Sequence, residues 1–149
     1  IQPVFIDLDM NTVEPAIGAQ RMDKVYAWKS MLDMGIHTSG GSDAPVVSFD
    51  AMENIYFAVT RKNISGQPQE GWIPSEKISV DEAVKLFTKN AAYASYTEDE
   101  NGTIEVGKNA DFVVLEKNIY EIDPDEIKAT KVDMTVLGGE IVYEREVEE

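Results

Sequence analysis

The residues most able to do chemistry sit in one stretch, Gly40-Gly41-Ser42-Asp43-Ala44-Pro45. Two glycines let the backbone turn tightly and come close to a ligand, and Pro45 stiffens the exit. A carboxylate presented between them, at Asp43, can exchange protons with a bound molecule. The same residue can equally serve as an Asx-turn or helix-cap residue, and spacing alone leaves both open. The only histidine, His37, lies six residues upstream of Asp43 inside an apolar run, which suits a structural or incidental role. Two arginines follow apolar or small residues: Arg21 after Ile17-Gly-Ala-Gln20, and Arg61 after Ala58-Val-Thr60. A guanidinium can grip a substrate carboxylate at two points; either arginine can also be an ion pair at a helix end. Trp72, in a loop rich in glycine and proline, is open to two readings, a cover over a substrate or an anchor for the loop. Tyr26 and Trp28 read as packing residues on a helix.

These side chains need elements to hold them. Val4-Phe5-Ile6 reads as a short strand or its end, and residues 7–18 as irregular. A helix is expected from about Gln20 to Met34, with Gly35 as its C′ residue. Ile36–Ser39 has the character of a short buried strand that breaks at Gly40-Gly41. Helix, short strand, glycines and acid in that order form the layout of a loop leaving the C-terminal end of a parallel strand, the end that carries chemistry in α/β barrels. A second helix is expected over Ala51–Arg61 and a loop over Asn63–Pro74. Ser79-Val-Asp-Glu82 is a capping box that starts a third helix, with a break near Thr88-Lys89-Asn90 and a short continuation towards Tyr96. The last third changes character. Ala110–Glu116 is a strand by its β-branched content, residues 125–129 suit a short helix, and Met134–Glu144 is a hairpin about Gly138-Gly139. The charged tail Glu144–Glu149 is expected to fray. The polar stretch Glu98–Lys108 marks an organisational boundary.

The bulk numbers narrow the classes. The chain has 149 residues, 43% of them hydrophobic, which supports a packed core. Its formal charge of −15 repels phosphates, so nucleic acid is not an expected partner. Cysteine is absent, which removes disulfides and thiolate metal sites and fits a reducing, cytoplasmic setting. No apolar run approaches the roughly 20 residues of a membrane span, so no membrane partner is expected, and the first residues lack the basic region of a signal peptide.

Several segments together carry a resemblance: "GSDAPV", then "AVTR" at Ala58–Arg61, "SVDEAVKLFTKNAAYAS", "GTIEVGKNADFVVLE" and "TVLGGEIVYE". "QPVF" at Gln2 and "IGAQR" ending at Arg21 add to it. The chain resembles the C-terminal part of the amidohydrolase superfamily, and most closely amidohydrolase family 3, over essentially its whole length. The resemblance implies the last βα units of a TIM barrel over residues 1–97, followed over 98–149 by C-terminal antiparallel strands of a small β-sandwich. It implies a metal-dependent hydrolase that cleaves carbon–nitrogen bonds of small molecules. Asp43 matches the aspartate after the last barrel strand, which binds or faces a divalent metal, zinc by expectation, and moves the proton of the hydrolytic water. Gly107, Lys108 and Asp111 fall where the family shapes a turn into its final strands.

The chain also departs from that pattern. The family's His-x-His pair and its later histidines have no counterpart, and His37 matches no ligand position. A catalytic zinc takes about three protein ligands, and Asp43 is one. The expectation is therefore a fragment of a longer hydrolase, inactive and metal-free by itself, whose uncovered apolar surfaces make it self-associate. A binding or regulatory module that keeps this part of the fold without the site is the alternative.

Overall fold

The fold, described here from a computed structural model over residues 1–146, is built around one helix. That helix, α4 (Ala51–Thr60), buries Met52, Asn54, Ile55, Tyr56, Phe57, Ala58 and Thr60. A helix apolar on nearly every side belongs inside a core rather than on its surface. It starts where Asp50 accepts hydrogen bonds from the amides of Met52 and Glu53, at 2.8 and 3.4 Å. It ends at Arg61, which turns left-handed at φ 54°. Around α4 pack Ile6, Trp28, Ile78, Ala83, Leu86, Ile119 and Ile127.

The N-terminal reading needs correction. Val4–Ile6 is not a strand, and residues 7–18 are not irregular throughout: α1 spans Phe5–Asp9 and α2 spans Val13–Ile17. A three-residue apolar run cannot distinguish strand from helix, and here no ladder partner lies alongside, so the amides of Phe5, Ile6 and Asp7 close local turns instead. Strand-like pairing occurs earlier. The Ile1 nitrogen donates to Ser39 O at 2.8 Å, and Gly41 N donates to Ile1 O at 2.9 Å. Two bonds from neighbours of one residue to the residue opposite make a parallel rung. Ile36–Ser39 is accordingly not a strand of any sheet among the described residues; one rung at its end is what pairs. Helices meet two polar groups nearby: Gly40 N donates to Leu86 O at 2.9 Å, and the Asn90 side-chain amide to Thr38 O at 2.8 Å.

The expected helix from Gln20 to Met34 is split. A 3-10 turn covers Ala19–Lys24, Val25 is extended, Tyr26 is left-handed at φ 49°, and α3 runs over Trp28–Asp33. Tertiary contacts override the local pattern here, because the Tyr26 ring packs 5.7 Å from both Trp28 and Trp72. Gly35, at φ 74°, is the C′ residue expected of it.

The capping box forms as expected: Ser79 Oγ accepts from Glu82 N at 3.2 Å, and Ser79 N donates to Glu82 Oε2 at 2.8 Å. It opens α5 (Val80–Leu86), and Thr88 separates α5 from α6 (Lys89–Ala94). The turn-rich stretch Glu98–Lys108 is pinned by Lys108 Nζ, which donates to Glu98 O at 2.6 Å and Asn101 O at 3.4 Å.

Strands β1 (Phe112–Leu115), β2 (Val132–Leu137) and β3 (Glu140–Glu144) form one antiparallel sheet in the order β1-β2-β3. Phe112 faces Val136, and Val136 faces Ile141. Gly138 and Gly139, at φ 58° and 84°, supply the two positive angles of the hairpin turn. The connection from β1 to β2 contains the short helix expected over residues 125–129, a 3-10 helix spanning Pro124–Ala129; its Ile127 packs under α4. Of the sheet's apolar side chains only Val136 is buried, while Phe112, Val113, Val114, Leu137, Ile141 and Val142 are exposed. Just after β3, Arg145 bridges Asp133 at 2.6 Å and Glu116 at 3.2 Å. The last three residues of the tail lie outside the described residues.

Candidate functional site

Asp43 stands two residues beyond the parallel rung at Gly41, in a loop that runs to the start of α4. It is exposed, and its φ of 61° is one that non-glycine residues seldom adopt. Among the described residues its carboxylate has no hydrogen-bond partner. The cap of α4 is Asp50, and the local turn is closed by other atoms: Val46 N donates to Asp43 O at 2.9 Å, and Ala44 N to Ser42 Oγ at 3.3 Å. The helix-cap and Asx-turn roles are therefore filled by neighbours, and the Asp43 carboxylate is left facing solvent.

The two glycines act differently from the sequence reading. Neither takes a positive φ; the left-handed residue is Asp43 itself. Gly40 is required by packing, since a Cβ there would meet Phe87 Cζ at 2.7 Å, whereas a Cβ on Gly41 meets nothing within 4 Å.

The metal expectation can be tested on the donors present. Among the described residues no group of three or more His, Cys, Asp or Glu side chains could hold a metal ion. His37 is exposed and stacks on Tyr93 with ring centroids 4.3 Å apart, so its ring lies against a phenol. The donor set of these residues does not fit a metal centre of their own.

The two arginines part company. Arg21 is exposed, and its Nη1 donates to Ile17 O at 3.2 Å, closing the end of α2. Arg61 is 0% exposed. Its Nε donates to Trp72 O at 2.6 Å and its Nη1 to Tyr26 O at 2.9 Å. The guanidinium lies 4.6 Å over the Trp28 ring and 5.7 Å from that of Trp72, close enough for cation–π attraction. Burial lowers its pKa to about 10, while the buried Glu76 favours the charged form. Glu76 is held in turn by the Ser30 amide at 2.9 Å and the Ser30 hydroxyl. Arg61 thus joins the end of α4, the Trp72 loop, Tyr26 and α3. Burial and the Asp9 carboxylate, which accepts a hydrogen bond from the Tyr26 hydroxyl, both raise the Tyr26 pKa. Trp72 likewise anchors its loop, its amide donating to Arg61 O at 2.7 Å.

A family model described as the amidohydrolase family matches residues 1–143. The chain belongs to the amidohydrolase family. It is 38% identical to YtcJ of Bacillus subtilis over 97% of this chain and 27% of that protein. It is 35% identical to an N-substituted formamide deformylase of Arthrobacter pascens over 82% of this chain and 22% of that protein. Among solved structures it is similar to a metal-dependent hydrolase of Pyrococcus horikoshii, with a TM-score of 0.73 at 22% identity over 83% of this chain and 25% of that one. The chain therefore spans about a quarter of the length of the curated relatives it matches.

For this member of the family, sequence reasoning named Asp43, Arg21 and Arg61 but missed two buried polar residues, Asn54 and Glu76. Asn54 is 1% exposed and Glu76 5%. Asn54 falls in the apolar run of α4, where a polar residue on a buried helix is itself a signal that could have found it. Glu76 lies among Pro74, Ser75 and Lys77, and nothing local distinguishes it from a solvated acid.

Proposed function

We propose that this chain is a segment of an amidohydrolase that cleaves carbon–nitrogen bonds of small molecules, with Asp43 as its proton carrier. The observation that carries the reading is the conformation of Asp43: left-handed, exposed and without a hydrogen-bond partner among the described residues, just past a parallel rung. Such strain persists where the surrounding structure imposes it, and it clusters at functional positions. In the proposed reaction a carboxylate oxygen of Asp43 takes a proton from water as the water oxygen bonds to the carbonyl carbon. The same proton then passes to the nitrogen as the C–N bond breaks. Residues 1–97 would contribute the end of a (β/α) barrel and residues 98–149 the strands of an accompanying sandwich. A divalent metal, zinc by expectation, belongs to the complete protein and would need ligands from outside the described residues. The purified chain would accordingly be inactive, and its uncovered sheet would promote self-association. Arg21, exposed, keeps its candidacy as a substrate contact. Arg61 would act through the segments it joins rather than by touching substrate.

The kinship with an N-substituted formamide deformylase suggests formamides as first substrates to assay. In the full-length protein, Asp43→Asn keeps shape and removes the proton-accepting charge. Hydrolysis is expected to fall by about 10²- to 10⁴-fold. Activity within a few-fold of the unmodified protein would refute the assignment.

A further inference from the structure

We infer that Asn54 is a positioning residue: its side-chain amide fastens the Asp50 end of the Asp43 loop to the segment Ile1–Val4, whose first residue holds the other end. The importance of the loop to catalysis rests on the reading of Asp43 given above. One end of the loop, at Gly41, is tied to Ile1 by the parallel rung. The other end, at Asp50, is tied through Asn54. Asn54 Oδ1 accepts from Val4 N at 3.2 Å, and Asn54 Nδ2 donates to Asp50 O at 2.9 Å. Asp50 N then donates to Ser48 Oγ at 3.2 Å, carrying the chain of bonds back into the loop.

Both partners are backbone atoms of opposite polarity, so the bridging side chain must accept at one end and donate at the other. A carboxamide of this length does both. An ionised carboxylate cannot donate, and an aliphatic side chain does neither. Because Asn54 is 1% exposed, water is not at hand to replace it. Asp50 O also accepts from the Asn54 backbone amide at 3.2 Å, so the group left unmatched without the side chain is the Val4 amide, which then carries a desolvation penalty. With residues 41 and 50 both referred to the same four residues, the intervening turn has little freedom, and Asp43 is kept at a φ of 61° that it would otherwise leave.

The test uses the 149-residue chain and does not depend on activity. A strong intraresidue amide–Hα NOE marks positive φ at Asp43, and hydrogen exchange at Val46 N reports the turn, with Ala83 N in α5 as internal reference. In Asn54→Leu the NOE is expected to weaken, and Val46 exchange to rise at least tenfold relative to Ala83. A purely structural defect would raise both amides together. An unchanged NOE and an unchanged Val46-to-Ala83 ratio would overturn the proposal, as would a parallel rise. If that variant fails to fold, native-state exchange in the unmodified chain decides: Val4, Gly41 and Val46 amides should share one opening free energy, and release of Val46 well before Val4 would refute the clamp. Failure here leaves the role of Asp43 standing. Failure of Asp43→Asn to lose activity leaves the clamp standing.

Discussion

Replacing Arg61 by Met keeps much of its volume and removes every donor. Two hydrogen bonds from a charged group disappear, those to Trp72 O and Tyr26 O. Bonds to charged groups contribute about 1.5–3 kcal/mol each, so the gross loss is about 3–6 kcal/mol. Part of it is offset, because burying a guanidinium is itself costly, as its lowered pKa indicates. The net expectation is about 2–4 kcal/mol of lost stability. With a urea m-value of about 2 kcal/mol/M, the unfolding midpoint falls by about 1–2 M. The assay is built in, since the chain's two tryptophans, Trp28 and Trp72, both flank Arg61 and their emission follows unfolding. Arg61→Lys should lose nearly as much, because an ammonium is a point donor and cannot fork between two carbonyls as a planar guanidinium does. A midpoint for Arg61→Met within about 0.3 M of the unmodified chain, at such an m-value, would refute the view that these segments depend on Arg61.

Gly40→Ala should destabilise by about 1–3 kcal/mol, since its Cβ must displace the Phe87 ring, whereas Gly41→Ala should stay within about 0.5 kcal/mol; equal effects in thermal unfolding would contradict the packing account. Asp43→Gly relieves a left-handed side chain that costs on the order of 1 kcal/mol. Its melting temperature should match or exceed that of the unmodified chain, and a clear drop would show that the Asp43 carboxylate makes a stabilising contact after all.

What could be read in the sequence was what is decided locally. The Ser79–Glu82 box, the Gly138-Gly139 turn and β1 each depend on a few adjacent residues, and each is found where the residues place it. Asp43 could be singled out because glycines and a proline surround it. The N-terminal helices could not, since Val4–Ile6 pairs or coils according to whether a neighbouring strand is within reach. Nor could the parallel rung between Ile1 and the Gly40 region, which joins residues about forty positions apart. Arg61 looked like a substrate contact because the sequence does not reveal that Trp28, Trp72 and Tyr26 converge on it. The sequence reading likewise assigned the tight turn to the glycines, while the positive φ falls on the acid beside them.

The burial of α4 on nearly every side bears on how this chain is made. Ile6 and Trp28 precede the helix, Ile78 and Leu86 follow it, and Ile127, which packs beneath it, comes late in the chain. A ribosome releases these segments in order, N-terminal ones first. Until the residues near Ile127 emerge, well after α4 is complete, one flank of the helix stays uncovered.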